Sequence, residues 1–303
     1  MFRPHGIVPA LVTPLSADGD LMEDGLAALL DHVIDGGVHG VFVLGTSGEI
    51  YGLSAAQKQR VVEATVEHVA GRTPIYVGAS EITTRDCLAT ARMAARVGGV
   101  TALSVLTPYL MTPSQAELTR HYTAIAGATE LPLVLYANPG RTGVALAVDT
   151  VVRLSELPTV VGIKDSSGDM SLTGEYISQT DADFAVLTGR DTLIYAGLAQ
   201  GADGAIASTA NIAPRLLVDL YESFRAGDWP TALELQNRLS PLRRAVDLAT
   251  FPVALKEGLR PLGIDAGRCL APADAMAPEH LATLHDAVRA VAGAGAVSNQ
   301  QTN

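Results

Sequence analysis

Little in this chain invites redox, metal or nucleic-acid chemistry. Its 303 residues hold two cysteines, Cys87 and Cys269, far apart and without a C-x-x-C pair. That excludes a disulfide framework and suits a reducing cytoplasm. Seven histidines are scattered, with no H-E-x-x-H or other metal-ligand spacing, so no metal is expected. Neither G-x-G-x-x-G opening a helix nor G-x-x-x-x-G-K-[ST] occurs, which removes the usual dinucleotide and nucleotide cradles. Charged residues make up only 17%, against 48% hydrophobic, so disorder is excluded. The formal net charge of −11 lacks the basic excess that phosphate backbones require, and no nucleic-acid partner is expected. No apolar run approaches the ~20 residues of a membrane span. The opening MFRPHGIVPALVTPL has no basic segment followed by a long apolar stretch, so no signal peptide is expected either.

What is present is a regular beat. Short apolar or β-branched runs alternate with longer Ala/Leu-rich stretches at helical spacing. The short runs are Ile7–Thr13, Gly40–Leu44, Ile75–Gly78, Ala102–Leu106, Leu133–Tyr136, Val160–Lys164, Phe184–Thr188 and Gly204–Ser208. Between them, Ser54 precedes AAQKQRVVEATVEHVA with Gly71 behind it, Thr84 opens RDCLATARMAARVG, and Thr112–Pro113 open SQAELTRHYTAIAG. Eight such units imply a parallel sheet with crossover helices. Wholly apolar runs such as VFVL and VVGI imply a sheet covered on both faces. A (β/α)8 TIM barrel over residues 1–226 is the expected architecture, an open doubly wound sheet the alternative. WPTALELQNRLSPLRRAVDLA, PVALKEGLRPLG and PEHLATLHDAVRAVAG then predict a C-terminal helical domain over 227–292. The small polar residues 293–303 predict a frayed tail.

Lysine is scarcer than any other charged type, with three in all. Lys58, among QKQR, reads as a solvated helix charge, and Lys256, beside Glu257, as a charge at a helix end. Lys164 differs because it terminates the apolar run VVGIK just before the loop DSSG. In a barrel, the carboxyl ends of the strands surround the active site. A lysine held there among apolar neighbours is partly out of water, and desolvation favours the neutral amine that attacks a carbonyl. The plainer alternative is an ion pair with a neighbouring carboxylate such as Asp191. Other strand ends offer compatible groups. Thr46 and Ser47 in GTSGE bring hydroxyls and amides suited to a small carboxylate. Tyr136 brings a phenol near the lysine, and Arg141 a fork for a carboxylate. Gly189 in LTGRD and the small residues of GADGAIAST allow close backbone approach.

These motifs, GTSGE at 45–49, TPYLMTPSQ at 107–115, YANPGRTG at 136–143, GIKDSSG at 162–168 and GADGAIASTANIAP at 201–214, resemble the dihydrodipicolinate synthase / N-acetylneuraminate lyase family. The likeness runs in order from about Gly6 to Val291. The resemblance implies a Schiff-base lyase or aldolase that condenses or cleaves pyruvate, or a related 2-oxo acid, with an aldehyde, without cofactor or metal. It implies that Lys164 forms the imine, Thr46 and Ser47 receive the carboxylate, Tyr136 moves protons together with Thr46, and Ile206 lies beside the imine through its backbone. Arg141 matches the position near the aldehyde's carboxylate, while Asp191 and Ser208 resemble sugar-contacting positions of the lyase branch. A cytoplasmic homotetramer, a dimer of dimers, is implied too. Two departures stand out. Leu110 replaces the second tyrosine that follows TPY in the synthases, and Glu81 stands where they carry a small residue or asparagine. A paralogous lyase acting on a 2-oxo acid with a second carboxylate or hydroxyls is therefore the first reading. The lysine-pathway synthase using aspartate semialdehyde is the second, a deoxy sugar acid dehydratase the third, and a non-catalytic 2-oxo acid binding barrel the reading of another class.

Overall fold

A computed structural model of the chain describes residues 2–292; the tail expected to fray, 293–303, lies outside them. Eight parallel strands form one sheet: β1 (Gly6–Pro9), β2 (Val41–Val43), β3 (Ile75–Gly78), β4 (Ala102–Leu106), β5 (Leu133–Ala137), β6 (Val160–Asp165), β7 (Ala185–Thr188) and β8 (Gly204–Ala207). Each strand lies beside its neighbour in sequence, and β1 also pairs with β8. The remaining gap closes through the Ala10–Phe42 bridge, with the Leu11 amide donating to the Phe42 carbonyl at 2.8 Å. The sheet is therefore a closed (β/α)8 barrel and not an open doubly wound sheet.

Inside the barrel, Val8, Ala10, Phe42, Tyr76, Ala102, Val134, Val161, Leu187 and Ile206 pack into their own apolar plug. Phe2 seals its lower end edge-on to Tyr76, with ring centroids 5.7 Å apart. Fully burying side chains of this size stabilises by about 1.5–3 kcal/mol each. The second, larger core lies between the outward strand faces and the helices. Close approach demands glycine at Gly78, where a Cβ would lie 1.8 Å from the Leu44 carbonyl oxygen.

Helix starts follow local chemistry. Ser54 and Gln57 form a reciprocal capping box ahead of helix Ala55–Val69, and Thr83 caps helix Thr84–Val97. The next helix departs from the sequence expectation. It begins at Gln115, because Ser114 and Glu117 build a second capping box there, so Thr112 and Pro113 remain in the preceding loop. Beyond the last barrel helix, Pro214–Arg225, three α-helices follow at Trp229–Val246, Val253–Leu259 and Pro278–Ala292.

Two lysines are not the solvated charges that their local sequence suggests. Lys58 is 8% exposed, and its Nζ lies 2.6 Å from Glu81 Oε1, because helix Ala55–Val69 turns this face toward the loop after β3. Lys256 is buried, with Nζ 2.7 Å from Glu49 Oε1 and donating to the Arg268 carbonyl at 2.5 Å. Glu49 itself is 0% exposed, and its other oxygen accepts the Leu270 amide at 2.7 Å. The C-terminal helices are thus pinned to the turn that follows β2. Removing one partner of such a pair strands the other charge in the interior, which costs about 3–5 kcal/mol. Lys256→Met should lower the urea unfolding free energy by that amount, whereas a loss under 1 kcal/mol would show that the pair carries no such weight.

Candidate active site

The strand ends surround a cavity of about 270 Å³ at the carboxyl face of the barrel. Lys164, Tyr136, Thr46, Ser47, Arg141, Ile206, Gly189, Asp191 and Ser208, the nine residues singled out from sequence, all line it. They come from five separate stretches of chain, and only closure of the barrel brings them together.

Lys164 is the penultimate residue of β6 and is 5% exposed. Its register partner on β5 is Tyr136. The ammonium nitrogen lies 4.1 Å from the Tyr136 ring centroid and 5.3 Å from that of Phe42. Among the described residues it has neither an ion-pair partner nor a hydrogen-bond acceptor, so its immediate surroundings are two aromatic faces. Asp191, the sequence alternative as its counter-ion, is engaged elsewhere. One of its oxygens accepts the Ser208 amide at 3.2 Å, and the other accepts the Ser208 hydroxyl at 3.0 Å and the Thr209 amide at 2.7 Å. Its backbone carbonyl accepts the Gln236 side-chain amide at 3.1 Å, so Asp191 serves as a splice between β7, β8 and the C-terminal helix Trp229–Val246.

Tyr136 is 4% exposed, and its phenol oxygen accepts a hydrogen bond from Asn138 Nδ2 at 3.2 Å. Burial raises the phenol's pKa. The positive charge of Lys164, the Asn138 amide and the nearby Thr46 and Ser166 hydroxyls together outweigh that effect, and Tyr136 lies below the ordinary tyrosine value. A phenol that releases its proton more readily is better suited to moving protons near neutral pH.

The turn carrying Thr46 and Ser47 is rigid. Leu44 and Glu49 flank it in left-handed conformations, φ 56° and 54°, which side-chain-bearing residues hold only when their surroundings impose it. The Gly48 amide donates to the Gly45 carbonyl at 3.0 Å, and the Thr13 hydroxyl donates to the Gly48 carbonyl at 2.7 Å. Glu49 is the residue held by Lys256. A Cβ at Gly189 would lie 1.9 Å from Ser166 Oγ and 3.0 Å from the Asp165 carbonyl oxygen, so a side chain there would push the Ser166 hydroxyl from its place.

Several lining residues escaped the sequence reading. Asn138 and Ser166 lie two residues beyond Tyr136 and Lys164, and period-two alternation along a strand would have pointed both into the same space. Ser166 Oγ is buried beside the Tyr136 phenol. Arg190, adjacent to Gly189, donates through Nε to the Ser166 carbonyl at 3.1 Å. Arg243, Asp247 and Phe251 come from the C-terminal helical region, and nothing in their local sequence marks them. Arg141 stacks its guanidinium over Phe251 at 4.5 Å. Glu81 does not line the cavity, because Lys58 and the Thr90 hydroxyl hold it on the helix side of β3. Leu110 is 88% exposed with φ 68°, and it does not line the cavity either. Among the described residues, no cluster of three His, Cys, Asp or Glu side chains is placed to hold a metal.

Residues 3–291 match the model of the dihydrodipicolinate synthetase family. A 4-hydroxy-tetrahydrodipicolinate synthase from Methanopyrus kandleri is 40% identical over 265 residues, covering 87% of this chain and 88% of the relative. Among solved structures, a dihydrodipicolinate synthase from Bacillus anthracis superposes with a TM-score of 0.92 at 32% identity, covering 95% of this chain and 99% of that one. A prophage protein of the dihydrodipicolinic acid synthase family from E. coli K12, solved in complex with pyruvate, gives a TM-score of 0.91 at 29% identity, with 95% and 98% covered.

The electrostatic account of Tyr136 is open to direct measurement. Lys164→Met removes the neighbouring positive charge and leaves burial as the main influence, so Tyr136 should titrate at higher pH than in the parent protein. NMR titration of ring-labelled tyrosine reads this directly, and an unmoved Tyr136 resonance would show that Lys164 is not the cause.

Proposed function

This chain belongs to the dihydrodipicolinate synthetase family, and from that membership and the surroundings of Lys164 we infer that it joins or cleaves a 2-oxo acid, pyruvate or a close relative, and an aldehyde through an imine on this lysine. The observation that carries this reading is a buried amine at a strand end, faced by two aromatic rings and no carboxylate. An amine so placed, without a carboxylate partner, is free to attack a carbonyl carbon that enters the cavity.

The steps follow from the positions of the groups. The neutral Lys164 amine adds to the keto carbon to form a carbinolamine, and water leaves to give the imine. Thr46 and Ser47, on their rigid turn, receive the acid's carboxylate and hold its keto carbon toward Nζ. The protonated imine withdraws electrons from the adjacent carbon. In the condensing direction that carbon loses a proton, and the resulting enamine attacks the aldehyde. In the cleaving direction the carbon–carbon bond breaks instead and leaves the enamine. Tyr136, with its readily released proton, passes protons between the carbinolamine, the imine and the aldehyde oxygen, with the Thr46 hydroxyl beside it. Arg141 faces an acidic group on the second reactant.

The second reading is the reaction named for the Methanopyrus kandleri relative, 4-hydroxy-tetrahydrodipicolinate synthesis. Identity of 40% over 265 residues favours it. Leu110 weighs against it, because a hydrocarbon side chain carries no proton. A cytoplasmic homotetramer belongs to the same proposal, and the exposed Leu110 and Met111 give apolar surface that a subunit contact would cover.

Borohydride added with pyruvate should fix a stable adduct on the peptide carrying Lys164, and an unmodified peptide would refute the imine. Lys164→Ala should abolish turnover. Tyr136→Phe should slow it by about 10²–10³-fold while leaving the trapped adduct detectable. Equal, modest losses in both variants, followed by steady-state kinetics, would contradict the roles assigned.

A further inference from the structure

Part of the cavity wall comes from helical segments that lie outside the barrel. Helix Trp229–Val246 brings Arg243 to the lining, with Asp247 and Phe251 just beyond it. The Arg243 side chain is 17% exposed, and its Nη1 is buried, 2.6 Å from Asp247 Oδ1. Asp247 is 66% exposed, so it steadies the guanidinium from the solvent side and does not bury it in an interior pair. Phe251 also carries the stacked Arg141 guanidinium, which has no ion-pair partner among the described residues. Two forks thus line one cavity from different parts of the chain.

Charge balance narrows what the cavity accepts. Four cationic side chains line it, Lys164, Arg141, Arg190 and Arg243, against two carboxylates, Asp191 and Asp247. Both carboxylates are engaged, Asp191 by the β8 loop and Asp247 by Arg243. No free anionic group remains to receive an ammonium ion, and two positive charges are left uncompensated. A ligand with two carboxylates matches that excess. A volume of about 270 Å³ is about nine water volumes, enough for an acid of about ten non-hydrogen atoms.

Resting on the imine reading above, we infer that Arg243 receives the second carboxylate of a 2-oxo diacid that carries no ammonium group. Arg243 is therefore a specificity-determining residue supplied by the C-terminal helices. Its partner is the end of the substrate farthest from Lys164, with Arg141 on the same carboxylate or on a neighbouring hydroxyl. Charge-assisted hydrogen bonds of this kind alter affinity by about 10- to 100-fold.

Concentration-dependent borohydride trapping separates this assignment from the imine itself. Three probes are compared: pyruvate, 2-oxohexanoate, and 2-oxoadipate, which has the same chain length as 2-oxohexanoate plus a terminal carboxylate. In the parent protein, half-maximal adduct formation should need about 10- to 100-fold less 2-oxoadipate than 2-oxohexanoate. The 5-trimethylammonio derivative of 2-oxoadipate, whose quaternary nitrogen cannot close onto the keto group, should lose most of that advantage. Arg243→Met should erase the gap, and Arg243→Lys should restore part of it, while a pyruvate adduct on Lys164 in each variant reports an intact barrel. Equal half-saturation for the diacid and the monoacid in the parent, or a gap untouched in Arg243→Met, overturns the assignment and leaves the imine standing. Absence of any pyruvate adduct in the parent overturns both.

Discussion

The ion pair between Glu49 and Lys256 ties together the two parts of this protein that must cooperate. Glu49 is the last residue of the turn that carries Thr46 and Ser47, and it is held in a left-handed conformation with no solvent contact. Its counter-ion comes from the helix Val253–Leu259, more than two hundred residues later in the chain. An isolated buried carboxylate is intolerable at this depth, so the turn and the helix specify each other's position. The same helical region then supplies Phe251, which supports Arg141, and Arg243 and Asp247, which finish the cavity. The C-terminal helices are a wall of the site as much as a support for the barrel.

Lys164 illustrates the complementary device. The three lysines are treated in opposite ways. Two are buried against carboxylates, Lys58 on Glu81 and Lys256 on Glu49, and the third is buried beside two aromatic rings with no carboxylate partner among the described residues. Each carboxylate near Lys164 that could have neutralised it is already committed. Asp191 is bound by β8, and Asp165 accepts the Thr173 hydroxyl at 2.6 Å and the Ser167 amide at 2.9 Å. The surroundings withhold a permanent counter-ion from this amine and place the Tyr136 ring against it. That combination is what the proposed imine chemistry asks of an amine.

Much of this was legible beforehand because the relevant information is local. The eight strands announce themselves through short apolar runs, and a parallel sheet follows because only crossover helices separate them. The apolar run that ends in Lys164 places this residue at the carboxyl rim of a barrel before any coordinate is known. One departure was also local in origin. The helix expected to open at Thr112–Pro113 waits for the stronger capping box of Ser114 and Glu117. Lys58 and Lys256 read as solvated because their partners, Glu81 and Glu49, are remote in sequence and leave no periodic trace.

The amino-acid order alone determined the barrel, its helical extension, and the placing of Lys164 and Tyr136 at strand ends. Each of these follows from periodicity or from one residue type placed at the end of one strand. Tertiary structure decided which carboxylates are already engaged, which arginines share the cavity, and that Glu81 turns away from it. Those are questions of convergence between segments tens to hundreds of residues apart. Charge compensation acts through space over a few ångströms, and chain order carries no measure of that distance until the barrel closes.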